Sequence, residues 1–186
     1  MANYNCSFQI INSLESFVDL FYLLMIGSGA GIRVLKDDVV DLPKFRTGIK
    51  TYHKEYSPVP RKERSDQSSM VFEDNEVEIV VGDSKEGWVE SLRIYFDILT
   101  RHSFRKVKAI IFNYDHVRPK GERLKTFGGT ASGHESIKNM FVKIDKTIKK
   151  IDAEATRKLR PIDCVDIANI IGENVVVGGK LVNASN

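Results

Sequence analysis

The stretch of residues 76–112, EVEIVVGDSKEGWVESLRIYFDILTRHSFRKVKAIIF, decides the fold class. Residues 76–81 are rich in β-branched side chains and predict a strand. A helix is predicted from about Lys85, because apolar side chains then recur on one helical face: Trp88, Leu92, Tyr95, Phe96 and Leu99. Residues 107–112 form a short β-branched and aromatic run, which is typical of a buried strand. The order strand, helix, strand predicts an α/β architecture.

Amphipathic helices are predicted on both sides of this stretch. The first is residues 14–25, where one face carries Leu14, Phe17, Val18, Phe21, Leu24 and Met25. Asn12 and Glu15 have the spacing of a capping box at its start, and Gly27 should end it. A later helix places apolar residues on one face at Ile137, Met140, Phe141, Ile144, Ile148 and Ile151. Pro161 should open a last helix that runs to about Val175.

The sequence predicts loops between these elements. Residues 36–74 lack a clear period and predict a surface excursion with little regular structure at its centre. Two glycine-rich stretches, 27–31 and 126–133, fit neither a phosphate-binding P-loop nor a dinucleotide-binding turn. The second precedes a helix, whose free N–H groups attract anions. Tight turns that need glycine are the alternative interpretation of both stretches.

Composition limits the classes of function. Lys and Arg exceed Asp and Glu by 28 to 25, a net charge of +3 that is too small to indicate a dedicated nucleic-acid binder. The longest apolar run, residues 20–26, is far shorter than the roughly 20 residues that span a bilayer. Cys6 and Cys164 are the two cysteines, and neither they nor the four histidines have the spacing of a metal site. These features predict a cytoplasmic protein with free thiols, no membrane partner and no bound metal.

Four segments, taken in order, carry a family resemblance. They are Asn5-Cys6 with the helix leading to GSGAG at 27–31, GDSKEGW at 82–88, VRPKG through GGTASG at 117–133, and DCVDI through VVVGG at 163–179. Their order and spacing resemble the adenosylcobalamin-dependent (class II) ribonucleotide reductases, and most of all the monomeric ribonucleoside-triphosphate reductase branch. The resemblance covers about residues 4–179.

The resemblance implies a domain organisation. The family builds its catalytic domain as a ten-stranded α/β barrel of two five-stranded halves, and this chain would supply part of the first half. Residues 1–35 and 107–179 would form the partial barrel with its effector and substrate loops. Residues 36–106 would be the insertion that replaces the dimer interface of other branches, with the helix from Lys85 near the effector pocket. Residues 180–186 would be an unrelated tail.

The implied chemistry is replacement of the ribose 2′-OH by hydrogen in deoxyribonucleotide biosynthesis. A cysteine thiyl radical generated with adenosylcobalamin abstracts the 3′-hydrogen, water leaves C2′, and two further cysteines end as a disulfide. By position, Cys6 matches one of this reducing pair. Asn5 matches a position that touches substrate, and Gly29 matches a close backbone approach to the ribose. Cys164 matches no redox position and is predicted to be a buried structural residue.

The resemblance also implies an allosteric effector site. Asn12, Ser13 and Leu14 match the Asp-Ser-Leu segment that holds the effector nucleotide, with Asn12 in place of the usual aspartate. Arg118 and Lys125 match two basic positions that meet the effector phosphates. The implied ligands are therefore a ribonucleoside triphosphate substrate and a deoxynucleotide effector.

The family's radical cysteine and second reducing cysteine have no counterpart among the 186 residues, and the resemblance stops after Gly179. We therefore expect a fragment or split component that is inactive alone and works with complementing reductase fragments and a thioredoxin-type reductant. The alternatives are a non-catalytic nucleotide-binding remnant and a truncated, non-functional product of an interrupted gene. No nucleic-acid partner is expected.

Overall fold

The computed structural model describes residues 6–123, 130–153 and 158–178, and it confirms the α/β class. These ranges contain six strands and five α-helices, with short 3₁₀ turns at Arg61–Glu63 and His102–Phe104. In chain order the elements are β1 Cys6–Ile10, α1 Leu14–Met25, β2 Gly29–Arg33, α2 Lys36–Val39, β3 Lys50–His53, β4 Ser69–Glu73, β5 Glu76–Val80, α3 Lys85–Thr100, β6 Ala109–Asn113, α4 Glu135–Ala153 and α5 Pro161–Gly178.

Two sheets organise the described residues. β1 and β2 form a parallel pair. The larger sheet has the order β3-β6-β5-β4, in which β6 runs parallel to both β3 and β5 while β4 is antiparallel to β5. The partial barrel stays a prediction, because two paired strands are compatible with it without establishing it.

Helix α1 begins one residue later than the predicted capping box. Ser13 is the N-cap: its Oγ accepts a hydrogen bond from the Ser16 N–H at 3.2 Å, and the Ser16 Oγ accepts one from the Ser13 N–H at 3.3 Å. The box of Asn12 and Glu15 is therefore wrong. Asn12 instead accepts a hydrogen bond from the Ser16 hydroxyl, and Glu15 is used in an ion pair with another helix.

The glycine-rich stretch after α1 divides into a turn and a strand. Gly27 has a φ of 85°, the left-handed conformation that glycine adopts most easily, and it ends the helix as predicted. Gly29 and Gly31 lie in the extended strand β2, so the expectation of a single tight turn over 27–31 is only half right.

A continuous core joins the helices to the larger sheet. Tyr95 and Phe96 of α3 are buried, and the Phe112 ring on β6 lies 4.1 Å from the Phe141 ring on α4, centroid to centroid. Phe17 of α1 packs on Phe96 at 6.0 Å between ring centroids. α1 therefore packs against α3, and α5 packs against both α1 and α4.

The segment 36–74 is more regular than predicted. It contains α2, β3 and β4, although its centre, residues 54–68, holds only the 3₁₀ turn. The predicted boundary between residues 106 and 107 falls just before β6, and both edges of β6 pair with strands from 36–106. The larger sheet therefore draws on both sides of that boundary. None of the described helices has the length and apolar character needed to cross a membrane.

Candidate functional site

Cys6 and Gly29 are brought together by the parallel pair of β1 and β2. Their Cα atoms are direct register partners, and the Ser7 hydroxyl donates to the Gly29 carbonyl at 3.3 Å. The Cys6 thiol is exposed, and Phe8, on the same face of β1, is 63% exposed. The structure thus presents a thiol beside a glycine backbone on an open strand pair. Asn5, the other predicted substrate contact, lies outside the described residues.

Asn12, Ser13 and Leu14 line a cleft between α1 and α3. The cleft has a volume of about 360 Å³. Its other wall carries Arg93 and Asp97 of α3 and Arg101, which directly follows that helix, with Asp41 and Pro43 at its side. The predicted effector segment therefore faces the helix that was expected near the effector pocket. That this cleft binds an effector stays a prediction.

The cations of this cleft are already paired. Arg93 contacts both carboxylate oxygens of Glu15 through its Nε, at 3.2 and 3.1 Å, and also pairs with Glu90. The Arg101 Nε lies 2.8 Å from the Asp97 carboxylate. The hydrogen bond from Arg93 lowers the pKa of Glu15, whereas burial raises the pKa of Asp97 despite Arg101. The cleft is therefore polar and rich in acceptors, which suits hydroxyl and amino groups better than phosphates.

Arg118 lies away from this cleft, at the other end of α3. Its Nε donates to the two Asp83 carboxylate oxygens at 2.9 and 3.1 Å, and its backbone N–H donates to the same carboxylate at 3.0 Å. Asp83 directly precedes the N-cap Ser84, so the axial rise from Asp83 to Asp97 is about 20 Å. The structure does not bring Arg118 together with Asn12. Lys125, the second predicted phosphate contact, lies outside the described residues.

The Arg118–Asp83 pair is part of a larger buried network. Arg64, whose side chain is 8% exposed, lies 3.8 Å from Asp83 and 2.8 Å from Glu122. The hydrogen bond with Asp83 raises the pKa of Arg118. This network ties the loop that follows β6 to the start of α3. Sequence reasoning missed Arg64 because its partners are distant in the chain.

Comparisons with known proteins identify the family. The family model described as "B12-dependent ribonucleotide reductase, insertion domain" matches residues 47–148, more than half of the chain. An adenosylcobalamin-dependent ribonucleoside-triphosphate reductase of Lacticaseibacillus paracasei is 27% identical over 173 residues, which cover 86% of this chain and 22% of the relative. A probable enzyme of the same description from Dictyostelium discoideum is 36% identical over 99 residues, 53% of this chain and 12% of the relative.

A solved structure supports the fold assignment. A crystal structure of a B12-dependent (class II) ribonucleotide reductase aligns with a TM-score of 0.73 at 23% identity, covering 95% of this chain and 28% of that one. The chain spans about a fifth to a quarter of the length of the relatives that it matches over most of its own length. On the family match, the chain belongs to the B12-dependent ribonucleotide reductases, with the insertion domain of that family at residues 47–148.

Proposed function

We propose that this chain supplies the insertion domain and the first strand pair of an adenosylcobalamin-dependent ribonucleoside-triphosphate reductase. The remainder of that enzyme would come from complementing polypeptide. The cleft between α1 and α3 would bind the base and sugar of a deoxynucleoside triphosphate effector. The observation that carries this proposal is that Asn12, Ser13 and Leu14 share one cleft with Arg93 and Asp97 of the insertion.

The polar groups of the cleft support binding of the nucleoside part. The Ser13 hydroxyl and the Asn12 amide can exchange hydrogen bonds with a sugar hydroxyl or a base edge. The Asp97 and Asp41 carboxylates can accept from hydroxyl or amino groups. The phosphates would leave the cleft toward solvent, because Arg93 and Arg101 are already engaged by carboxylates.

We further propose that the insertion includes β6. Both edges of β6 pair with strands of the segment 36–106, and the family match continues to residue 148. Residues 1–35 and the part of the chain after residue 148 would then belong to the partial barrel. The tail at 180–186 lies outside the described residues, and its separate origin remains a prediction.

In the complete enzyme Cys6 would be one of two reducing thiols. For each turnover the two thiols give two electrons and two protons, the substrate 2′-OH leaves as water, C2′ gains hydrogen, and a disulfide forms between the two sulfurs. A dithiol of the thioredoxin type would then reduce that disulfide. The exposed Cys6 thiol beside Gly29 supports this role, since both partner and substrate must reach the sulfur.

Adenosylcobalamin supplies radical chemistry when bound to enzymes that use it. Neither of the two clefts described in this chain, the α1–α3 cleft and a second cleft at the starts of β3, β5 and β6, fits this cofactor. A corrin ring offers two broad apolar faces, whereas charged side chains line both clefts described in this chain, and no histidine lines either of them. The groups that hold the cofactor would therefore be on the remainder of the enzyme.

Nucleotide binding without catalysis is the second candidate function. It is favoured by one observation: both walls of the α1–α3 cleft are built by the described part of this chain. Under this alternative the chain binds a deoxynucleotide but supports no reduction when complementing polypeptide is supplied.

Calorimetric titration of the chain with each of the four deoxynucleoside triphosphates tests the site. Asn12→Ala and Asp97→Ala should each weaken binding by about tenfold, which corresponds to one or two lost hydrogen bonds. Asn139→Ala, an exposed change on α4, is the matched control and should leave binding unchanged. Equal affinity in all four proteins would contradict the assignment of the cleft. Deoxynucleotide formation with complementing polypeptide then separates the reductase component from the binding remnant.

A further inference from the structure

A second cleft lies at the N-terminal ends of the parallel strands of the larger sheet. Its volume is about 670 Å³, which is within the range of small-ligand sites. It is lined by the segment leading into β3, the first residue of β5 and the segment leading into β6. It shares no lining residue with the α1–α3 cleft.

Positive charge dominates this second cleft. Arg46, Lys50, Arg105 and Lys108 line it, against the single carboxylate of Glu76. Within residues 6–123, 130–153 and 158–178, none of these four cations forms a salt bridge. Four like charges around one cleft repel each other, and that repulsion is relieved when an anion binds.

Arg46 is held rigidly at the wall of this cleft and forms no ion pair among the described residues. Its two terminal guanidinium nitrogens donate hydrogen bonds to the backbone carbonyls of Ile98 and Val107, which fixes the side chain in place. Its Nε is buried and has no hydrogen-bond partner among the described residues. Arg46 is therefore a fixed positive charge at the wall of the cleft, and a fixed charge without a counter-ion favours an anion beside it.

Tyr52 adds a flat apolar surface to the same cleft. It lies two residues after Lys50, on the same face of β3, and its side chain is 49% exposed. The opposite face of β3 is used for packing, because Thr51 donates a hydrogen bond to Asp145 of α4 at 2.8 Å. The Tyr52 ring is therefore available for stacking by a planar group.

We propose that this basic cleft binds a linear polyphosphate group, either inorganic or as the tail of a nucleotide. An extended anion fits the arrangement better than a single phosphate, because the cations come from two separate chain segments, which lead into the neighbouring strands β3 and β6. Lys50, Lys108 and Arg46 provide charge, and Arg105 provides a planar donor set for phosphate oxygens. The site lies within the residues of the insertion-domain match, apart from Arg46.

Titration of the full chain with sodium tripolyphosphate at low ionic strength tests the site. The double variant Lys50→Gln/Lys108→Gln should bind at least tenfold more weakly, because both side chains are exposed and can be changed without loss of packing. Lys62→Gln/Lys146→Gln is the control: it removes the same charge from exposed positions elsewhere and should change binding less than twofold. Asn12→Ala, in the other cleft, should also bind normally.

Two further arms identify the source of the polyphosphate. In an Asn12→Ala background, Tyr52→Ala should weaken ATP binding about fivefold or more while leaving tripolyphosphate binding unchanged, if a nucleotide stacks on the ring. If Tyr52→Ala loses affinity for neither ATP nor tripolyphosphate, the cleft is an inorganic polyphosphate site. The proposal is overturned if tripolyphosphate fails to bind, or if Lys62→Gln/Lys146→Gln loses as much affinity as Lys50→Gln/Lys108→Gln. Preference of this cleft for a single-stranded oligonucleotide over tripolyphosphate would also overturn it.

Discussion

Arg93 on α3 contacts both carboxylate oxygens of Glu15 on α1, with its Nε 3.2 and 3.1 Å from them. This pair joins the first turn of α1 to the second half of α3 at the edge of the cleft that Asn12 and Ser13 line. Glu15 also sits where a negative charge favours the helix start. One ion pair thus helps to orient the two helices that form the proposed effector site.

The Glu15–Arg93 pair should stabilise the protein modestly and in a pH-dependent way. Glu15→Gln should lower the free energy of unfolding at pH 7 by less than about 1 kcal/mol, because both side chains are well exposed to solvent. The pKa of Glu15 is lowered in the folded protein, mainly by the Arg93 hydrogen bond. The stabilisation is therefore present above the unfolded pKa of about 4.3 and is lost as the pH falls through the folded value.

Urea unfolding of wild type and Glu15→Gln at pH 7 and at about pH 3 measures this effect. The difference between the two proteins should shrink at the lower pH, because protonation of Glu15 removes the charge that pairs with Arg93. A difference that keeps its size at both pH values would mean that the side-chain volume, and not the charge, is responsible.

Two helical glycines should respond to alanine in opposite directions. Gly87, in the first turn of α3, faces the backbone of Asp66, and an added Cβ would overlap the Asp66 carbonyl oxygen. Gly87→Ala should therefore destabilise the protein by about 1–3 kcal/mol in spite of the better helix propensity of alanine. Gly172 in α5 has nothing within 4 Å of the same added atom, so Gly172→Ala should stabilise by about 0.5–1 kcal/mol.

Thermal or denaturant unfolding of the two variants provides the comparison. Because both positions are helical, propensity alone would move both in the same direction. Stabilisation of Gly87→Ala would show that the loop at Asp66 does not press against the start of α3. That result would also argue against the hydrogen bond from the Ser84 hydroxyl to the Asp66 carbonyl, which measures 2.6 Å.

The helices and the buried strands were predictable because their sequences carry a strong period. In α3, Leu92, Tyr95, Phe96 and Leu99 are buried as one face, and β6 is the centre of the larger sheet. All five residues of strand β4 are exposed. Neither face of this strand is buried, so its sequence does not need to alternate apolar and polar residues, and the strand was missed. β3 is only four residues long, and its Lys50 and Tyr52 face solvent or the basic cleft.

The candidate site was only partly predictable, because its lining residues come from segments that are distant in the sequence. Residues 12–14 were identified from the family motif, but Asp97 and Arg101 reach the same cleft only because α1 packs on α3. Arg118 shows the converse limit. Its motif indicates a phosphate contact, whereas in the structure its guanidinium is held by Asp83. The sequence contains no local signal for that pairing, because the two residues are 35 positions apart.

His53 should make the stability depend on pH near neutrality. Its ring stacks on Phe112 with centroids 5.2 Å apart, and its Nδ1 lies 2.9 Å from the Tyr114 hydroxyl oxygen. Burial, and then the charge of Lys138, lower the pKa of His53. The unfolded chain therefore takes up the proton first, so stability is highest above the unfolded pKa of about 6.5 and falls as the pH drops below it.

Unfolding midpoints at pH 7.5 and about pH 5.5 test this role of His53. His53→Gln keeps a polar group near the Tyr114 hydroxyl and removes the titration, so the drop between the two pH values should become smaller. Part of the drop should remain, because burial also lowers the pKa of His134. An unchanged drop would assign the acid sensitivity to other groups.

The two cysteines should differ in reactivity. Cys6 is exposed on β1, whereas Cys164 is fully buried in α5, and burial raises the pKa of the Cys164 thiol to about 12. Because the thiolate is the reactive form, a disulfide reagent at pH 8 should label Cys6 quickly and Cys164 only after unfolding. Rapid labelling of two thiols in the folded chain would contradict the placement of Cys164.

Serine substitutions separate the redox thiol from the structural one. Cys164→Ser should lower the free energy of unfolding by about 1–3 kcal/mol, because a hydroxyl replaces a thiol among buried apolar groups. Cys6→Ser should leave stability within about 0.5 kcal/mol, since the position is exposed. In a complemented reductase, Cys6→Ser should abolish multiple turnover while leaving effector binding intact, because serine cannot form the disulfide that ends each cycle. Wild-type turnover by Cys6→Ser, or its loss in a folded Cys164→Ser enzyme, would remove Cys6 from the reducing pair.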